Sequence, residues 1–149
     1  MATLPRSQYD PIVDAYRSLE NDLPSSKLES ELVSKAIGDC RRRTVLDLGG
    51  GTGLYARTAV SQGADLVHVV DNSPVMLKKG RVIEAARSSG QGRGKIQYFE
   101  GSASESLCDL PQLHQGYDLV MCNWVFNHAK DNKVRISFRR LANVKCDLL

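Results

Sequence analysis

Residues 45–53, Val-Leu-Asp-Leu-Gly-Gly-Gly-Thr-Gly, limit the possible folds of this chain more than any other stretch. The run 45–48 is short and apolar with one embedded acid, the pattern of a strand buried on both faces. It passes directly into Gly49, Gly50, Gly51 and Gly53, and a helix is expected from about Leu54. A glycine turn between a strand and a helix lets the backbone bend tightly and lets a ligand lie against it. The helix then points its unpaired N–H groups at whatever fills the turn.

Glycine spacing narrows the ligand. The dinucleotide fingerprint G-x-G-x-x-G, counted from Gly49, needs glycine at position 54, where Leu54 stands. A nicotinamide-dependent oxidoreductase is set aside on that ground. The pattern present is D-x-G-x-G-x-G, from Asp47 to Gly53. A second apolar run, residues 66–70, ends in Asp71, an acid about 20 residues past the glycines. Together these features resemble motif I and the following acid of the class I, Rossmann-like, S-adenosylmethionine-dependent methyltransferases. The resemblance implies S-adenosyl-L-methionine as cofactor. Asp47 would order the loop and the methionine amino group. Gly49, Gly51 and Gly53 would give close backbone approach, and Asp71 would hold the ribose hydroxyls. The plainer alternatives are a flexible loop for the glycines and a turn or capping residue for Asp71.

The whole chain sets broader bounds. Its 149 residues suit one domain, and 42% hydrophobic content is ordinary for a globular core. A net charge of +3 decides little. The dense basic run Arg41-Arg42-Arg43 reads as a solvated lead-in to the first strand. Without interleaved aromatics it does not suit a single-strand nucleic-acid binder, so no nucleic-acid partner is expected. Cys40, Cys108, Cys122 and Cys146 are irregularly spaced, with no C-x-x-C pair for zinc and no credible disulfide framework. No metal site is expected, and Cys122 reads as a small buried hydrophobe. The polar N-terminus, with Pro5 and Arg6, does not read as a signal peptide, and no apolar run reaches the roughly 20 residues of a spanning helix. The expectation is a cytoplasmic protein without a membrane partner.

Along the chain, residues 7–20 read as a helix with Ile12, Val13, Tyr16 and Leu19 on one stripe. Residues 9–16 resemble the N-terminal lid helix of small-molecule methyltransferases, which implies contact of Tyr9 or Tyr16 with a ligand. Pro24-Ser25-Ser26 breaks that helix, and Ser25 or Ser26 caps a second one that Gly38 ends. Leu28, Leu32, Val33 and Ala36 are spaced to face a sheet. The helix over 54–62 turns Ala56, Ala59 and Val60 inward and stops at Gly63. Ser73 and Pro74 form a helix start, and Val75, Lys79, Val82 and Ala86 share a face with Met76 and Ile83 beside them. The stretch 71–77 also resembles the family, in which Met76 would brush the adenine; packing on the sheet is the competing reading.

A third strand over 96–99 ends in Glu100-Gly101-Ser102-Ala103. The family often has Gly-Asp-Ala in this turn, with the aspartate on the adenine amino group. Ser102 replaces it with an uncharged acceptor, which implies weaker adenine recognition, or recognition mostly through backbone groups at Ser102 and Ala103; a plain loop residue is the competing reading. The fourth strand, residues 117–122, leads into Asn123-Trp124-Val125-Phe126-Asn127-His128. The family places the methionine end of its cofactor near this turn, which brings in Asn123. Enzymes that methylate amino groups of bases or amides often show Asn-Pro-Pro here; Trp124 and Val125 stand instead, which favours a small-molecule acceptor. His128 is the candidate general base, although a histidine without chemistry is the plainer reading. His68 and His114 are not candidates.

The alternation of strands and helices predicts a doubly wound α/β sheet, mostly parallel; the resemblance implies that it is Rossmann-like and holds only the 3-2-1-4 half of the family's sheet with its helices. The expected layout is a single incomplete domain over 1–149, with lid helices in 8–38 and a cofactor-binding core in 43–145. Relative to the family the chain reads as truncated after the fourth strand. That strand would become an edge open to self-association. Two functions stay open: methyl transfer to a small-molecule acceptor, or a catalytically inactive fragment that at most binds the cofactor or a partner chain.

Overall fold

Apolar runs separated by single helices close into a parallel sheet through right-handed crossovers. The computed structural model, which describes residues 24–87, 92, 94–102, 113 and 116–123, has that sheet. Its strands are β1 (Thr44–Leu48), β2 (Leu66–Asp71), β3 (Ile96–Glu100) and β4 (Leu119–Met121), all parallel, in spatial order β3-β2-β1-β4. Three helices lie among the described residues: α1 (Pro24–Ile37), α2 (Leu54–Ser61) and α3 (Pro74–Ala86). In register, Asp47 stands opposite Val69 on one side and Met121 on the other, and Asp71 stands opposite Glu100.

The valine-rich strands do not alternate with polar residues, which requires cover on both faces. On one face Val45, Val67, Val69, Leu119 and Met121 pack with Ala56 and Ala59 of α2 and Leu77 of α3. The small alanines let α2 approach the sheet closely. The residues of opposite parity, Leu46, Leu48, His68, Val70 and Val120, are also buried. His68 is tolerated there because its Nδ1 and the Tyr117 hydroxyl are hydrogen-bonded at 2.8 Å, with the Phe99 ring edge-on at 5.0 Å. Cys40 and Cys122 are free and buried.

The helix signals hold in part. Ser73 Oγ accepts the Met76 amide at 3.2 Å and Pro74 opens α3. Gly38 at φ +61 follows α1, and Gly63 at φ +103 follows α2. Two stripes differ from expectation. Leu28, Leu32 and Ala36 face outward, because α1 lies along α2 rather than on the sheet. The Tyr55 hydroxyl donates to Glu29 Oε1 at 2.7 Å, and Gln62 Nε2 donates to Ser34 O at 2.8 Å, so polar contacts hold α1 while only Ile37 is buried. In α3, Met76, Leu77 and Gly80 turn inward, leaving Val75, Val82 and Ala86 exposed. Adjacent apolar rows on that helix are equivalent in sequence, and contact with β3 selects between them. α1 also begins at Pro24, one residue before the expected caps. β4 is shorter than the predicted 117–122, although Tyr117 and Cys122 on its flanks are buried.

The predicted helix over 7–20 with Tyr9 and Tyr16, and the residues Ala103, His114 and His128, lie outside the described residues. Among the described residues no helix is long and apolar enough to cross a membrane.

Candidate functional site

The strand order reverses between β1 and β4, and open parallel sheets bind ligands outside the carboxyl ends of the strands at such a point. The glycine loop stands there. The Gly49 amide donates to Val70 O at 2.7 Å, which carries the β1–β2 pairing into the loop. Gly51 adopts φ +54, and its amide donates to Asp71 Oδ2 at 2.9 Å. The other carboxyl oxygen of Asp71 accepts the Ser73 amide at 2.8 Å. Asp71 therefore ties the loop to β2 and starts α3, the capping role set beside the ribose reading above.

The glycines have different reasons for being glycine. A Cβ on Gly51 would meet nothing nearer than Asp71 Oδ2 at 4.0 Å, so this backbone face is open. A Cβ on Gly50 would lie 2.6 Å from Asp47 Oδ2 and 2.9 Å from Val69 Cγ1. Gly53, at φ +80, faces protein: its Cβ would lie 2.6 Å from the Tyr98 hydroxyl. Gly80, inside α3, is kept bare by the same ring, with Tyr98 Cε1 at 2.5 Å from its would-be Cβ. In this structure the close approach at Gly53 is thus to Tyr98.

Asp47 is buried beneath Gly50. Its Oδ2 has no hydrogen-bond partner. Burial first, then the charge of Asp71, pushes its pKa up to about 7, against the pull of the Ala56 amide and Arg57. Asn123, two residues past the Asp47–Met121 pairing, has a buried Nδ2 that is likewise unpartnered. An unmet acceptor and an unmet donor thus belong to the carboxyl ends of β1 and β4. Such atoms are costly unless a ligand or water completes them. Ser102, half-buried, follows β3 at the same end of the sheet, next to the Gly101 amide that donates to Asp71 O at 3.0 Å.

Behind the loop lies a group that the sequence reading did not single out. Tyr98 is buried, and its hydroxyl donates to Thr52 O at 3.3 Å. Arg57 Nη1 donates to the same carbonyl at 2.7 Å and faces Glu84 Oε1 at 3.9 Å. Burial pushes the Tyr98 phenol up to about 12, so it remains a donor. Gly80 was the available signal, since a lone glycine inside a helix usually marks a close packing contact. Met76 is buried in the core, as the packing alternative had it. Among the described residues no cluster of three His, Cys, Asp or Glu side chains could hold a metal.

Fold and loop together define a Rossmann-like α/β domain. Residues 45–145 match the methyltransferase domain family, and the chain belongs to that family. S-adenosylmethionine is the cofactor of such domains. Alpha N-terminal protein methyltransferase 1 of Drosophila melanogaster is 29% identical over 99 residues, covering 66% of this chain and 34% of the relative. The chain thus spans about a third of the length of that curated relative. Magnesium protoporphyrin IX methyltransferase from Synechocystis PCC 6803, solved with bound SAH, shares the fold at a TM-score of 0.73 and 19% identity, over 96% of this chain and 68% of that one. The YcgJ protein of Bacillus subtilis matches at a TM-score of 0.63 and 21% identity, over 78% and 46% of the two chains.

Proposed function

We propose that the chain binds S-adenosyl-L-methionine across the carboxyl ends of β1 and β2 and transfers its methyl group to a small-molecule acceptor. The cofactor supplies an electrophilic methyl on a sulfonium centre, and the protein supplies binding and orientation. Asp71 accepts the ribose hydroxyls beside the open face of Gly51, and Ser102 with the backbone at Ala103 meets the adenine. The loop amides at Gly49, Gly51 and Gly53 frame the cradle. The observation that carries the reading is the pair of unpartnered buried atoms, Asp47 Oδ2 and Asn123 Nδ2. An ammonium and a carboxylate on the amino-acid end of the cofactor would supply the donor that Asp47 Oδ2 lacks and the acceptor that Asn123 Nδ2 lacks. The segment 8–38 serves as lid to the core 43–145.

The acceptor is inferred from Trp124 and Val125, which interrupt the Asn-Pro-Pro turn of amino-group methylation. The relatives span acceptors as unlike as a protein N-terminus and a magnesium porphyrin by their names, so the fold alone does not choose. His128 is the proposed base; His128→Asn should cut turnover while leaving cofactor affinity unchanged. β4 has β1 on one side and no further strand among the described residues, and we propose that a second copy pairs there. Sedimentation should then show a dimer; a monomer at micromolar concentration refutes the pairing.

Calorimetric titration with S-adenosylhomocysteine, with NAD as the contrast, tests the cofactor. Saturable binding of the first alone supports the reading, and binding of NAD overturns it. A labelled methyl donor with a panel of small acceptors tests transfer. Binding without turnover on any acceptor would favour a chain that holds the cofactor without acting on it.

A further inference from the structure

α2 starts from its N-cap Gly53, whose carbonyl accepts the Arg57 amide at 3.0 Å, so the carbonyl of Thr52, one residue before the cap, lies outside the helical ladder. A buried carbonyl needs a partner. Thr52 is buried, and its carbonyl takes two side-chain donors instead, Arg57 Nη1 at 2.7 Å and the Tyr98 hydroxyl at 3.3 Å. The two donors come from different elements, and α3 holds both. Arg57, on α2, faces Glu84 of α3, both side chains mostly buried. Tyr98, on β3, has its own carbonyl held by Arg81 Nη2 of α3 at 2.7 Å. Its ring fits only because Gly53 and Gly80 carry no Cβ. Thr52 lies between Gly51 and Gly53, both at positive φ, and the Gly51 amide donates to Asp71 Oδ2. Three elements therefore converge on one carbonyl of the loop.

We infer that Tyr98 and Arg57 are positioning residues of the glycine loop, and that by holding the Thr52 carbonyl on the α3 side they set the affinity of the opposite face for an S-adenosyl ligand. This rests on the proposed cofactor site. Neither residue touches the ligand. They act by fixing the peptide that carries the Thr52 carbonyl and the Gly53 amide; that amide donates to Gly50 O at 2.8 Å, and the Gly50 carbonyl shares its peptide plane with the Gly51 amide, so that the Gly51 amide and Asp71 are in place before binding. Preorganisation of this kind raises affinity by removing an ordering cost.

The test uses the full chain and four variants: Tyr98→Phe, Arg57→Met, Arg57→Lys and, as a control in the core away from the loop, Ile37→Val. Titration with S-adenosylhomocysteine should show about fivefold weaker binding for Tyr98→Phe and about tenfold for Arg57→Met, the loss of one neutral and one charge-assisted hydrogen bond. Arg57→Lys should recover part of the loss. Ile37→Val should lower the melting temperature and leave affinity unchanged. Wild-type affinity in both Tyr98→Phe and Arg57→Met overturns the inference, as does an equal loss in Ile37→Val. A second readout does not depend on binding. In the ligand-free protein labelled with 15N-glycine, the Gly51 and Gly53 amide signals should shift in Tyr98→Phe and Arg57→Met while the Gly38 signal stays. If wild type binds no S-adenosylhomocysteine, the cofactor reading fails; unmoved loop signals then overturn the positioning role, and moved ones support it.

Discussion

At the amino end of the sheet, Asp118 Oδ2 accepts the Thr44 amide at 2.8 Å; at the carboxyl end, Asp71 Oδ2 accepts the Gly51 amide at 2.9 Å. The bonds are alike and their settings are not. Asp118 is exposed, and its own amide returns to Thr44 O at 2.9 Å. Around it, Asp39 pairs with Arg41 in solvent, and Lys95 Nζ donates to Ala64 O at 3.0 Å near Asp65. These exposed groups are closed by their neighbours, although the buried Gln62 Oε1 at the foot of α2 has no partner among the described residues. At the other end Asp47 is buried with an oxygen unmet, and Asn123 has a nitrogen unmet. An end that water can satisfy serves stability. An end that loses water without regaining partners is held that way by the rest of the fold, and it is where a ligand has most to contribute.

Matched substitutions at the two ends sharpen the contrast. The largest difference is expected between Asp71→Ala and Asp118→Ala. The first should weaken S-adenosylhomocysteine at least about a thousandfold, roughly 4 kcal/mol, because loop anchor and ribose acceptor go together. The second should leave affinity unchanged and cost about 1 kcal/mol of stability. Equal affinities in a calorimetric titration would erase the distinction.

Acid titration of stability comes next. Asp47 has a folded pKa of about 7 against an ordinary 3.8. Between those values the folded state holds a proton that the unfolded state has released. Stability of the ligand-free protein should therefore fall by a few kcal/mol as pH rises from about 4 to 7, then level off. Asp47→Asn should flatten that slope in urea denaturation. Asp39 moves oppositely, to about 2, chiefly through its hydrogen bond to the Arg41 side chain. Its contribution is present above about pH 4 and is lost only as pH falls toward 2. Because the pair is exposed and screened, Asp39→Asn should leave the 4-to-7 slope untouched.

Gly53 and Gly94 share φ +80 at opposite ends. Gly94→Ala meets nothing within 4 Å and should cost only the left-handed strain, about 1 kcal/mol. Gly53→Ala adds a clash with Tyr98 and should cost about 3 kcal/mol. Urea midpoints decide it, and equal costs would mean that the Tyr98 ring moves freely.

Much of the fold was readable before any coordinates. A valine-rich run such as 66–70, bounded by turn residues, reads as a two-sided strand, and Ser73-Pro74 as a helix start. Which face each helix buries was less readable. Leu28 and Leu32 are outward because Tyr55 and Gln62 hold α1 on α2, and no local pattern encodes a hydrogen bond 26 or 28 residues away. At the site, Asp47, Gly51 and Asp71 stood out from type and spacing. Tyr98 did not, since a tyrosine in a strand looks like any other core aromatic until Gly53 and Gly80 are seen on either side of it.

The linear order of residues was sufficient for the strand–glycine–helix unit, the acid closing the next strand and membership of the methyltransferase family, because periodicity and turn chemistry are local and act over a few residues. The packing alone decided that Asp47 loses its water, that the Thr52 carbonyl turns to Arg57 and Tyr98, and that Gly53 faces a ring. Those outcomes depend on which distant segments meet, and burial, unlike propensity, is a property of the assembled layers.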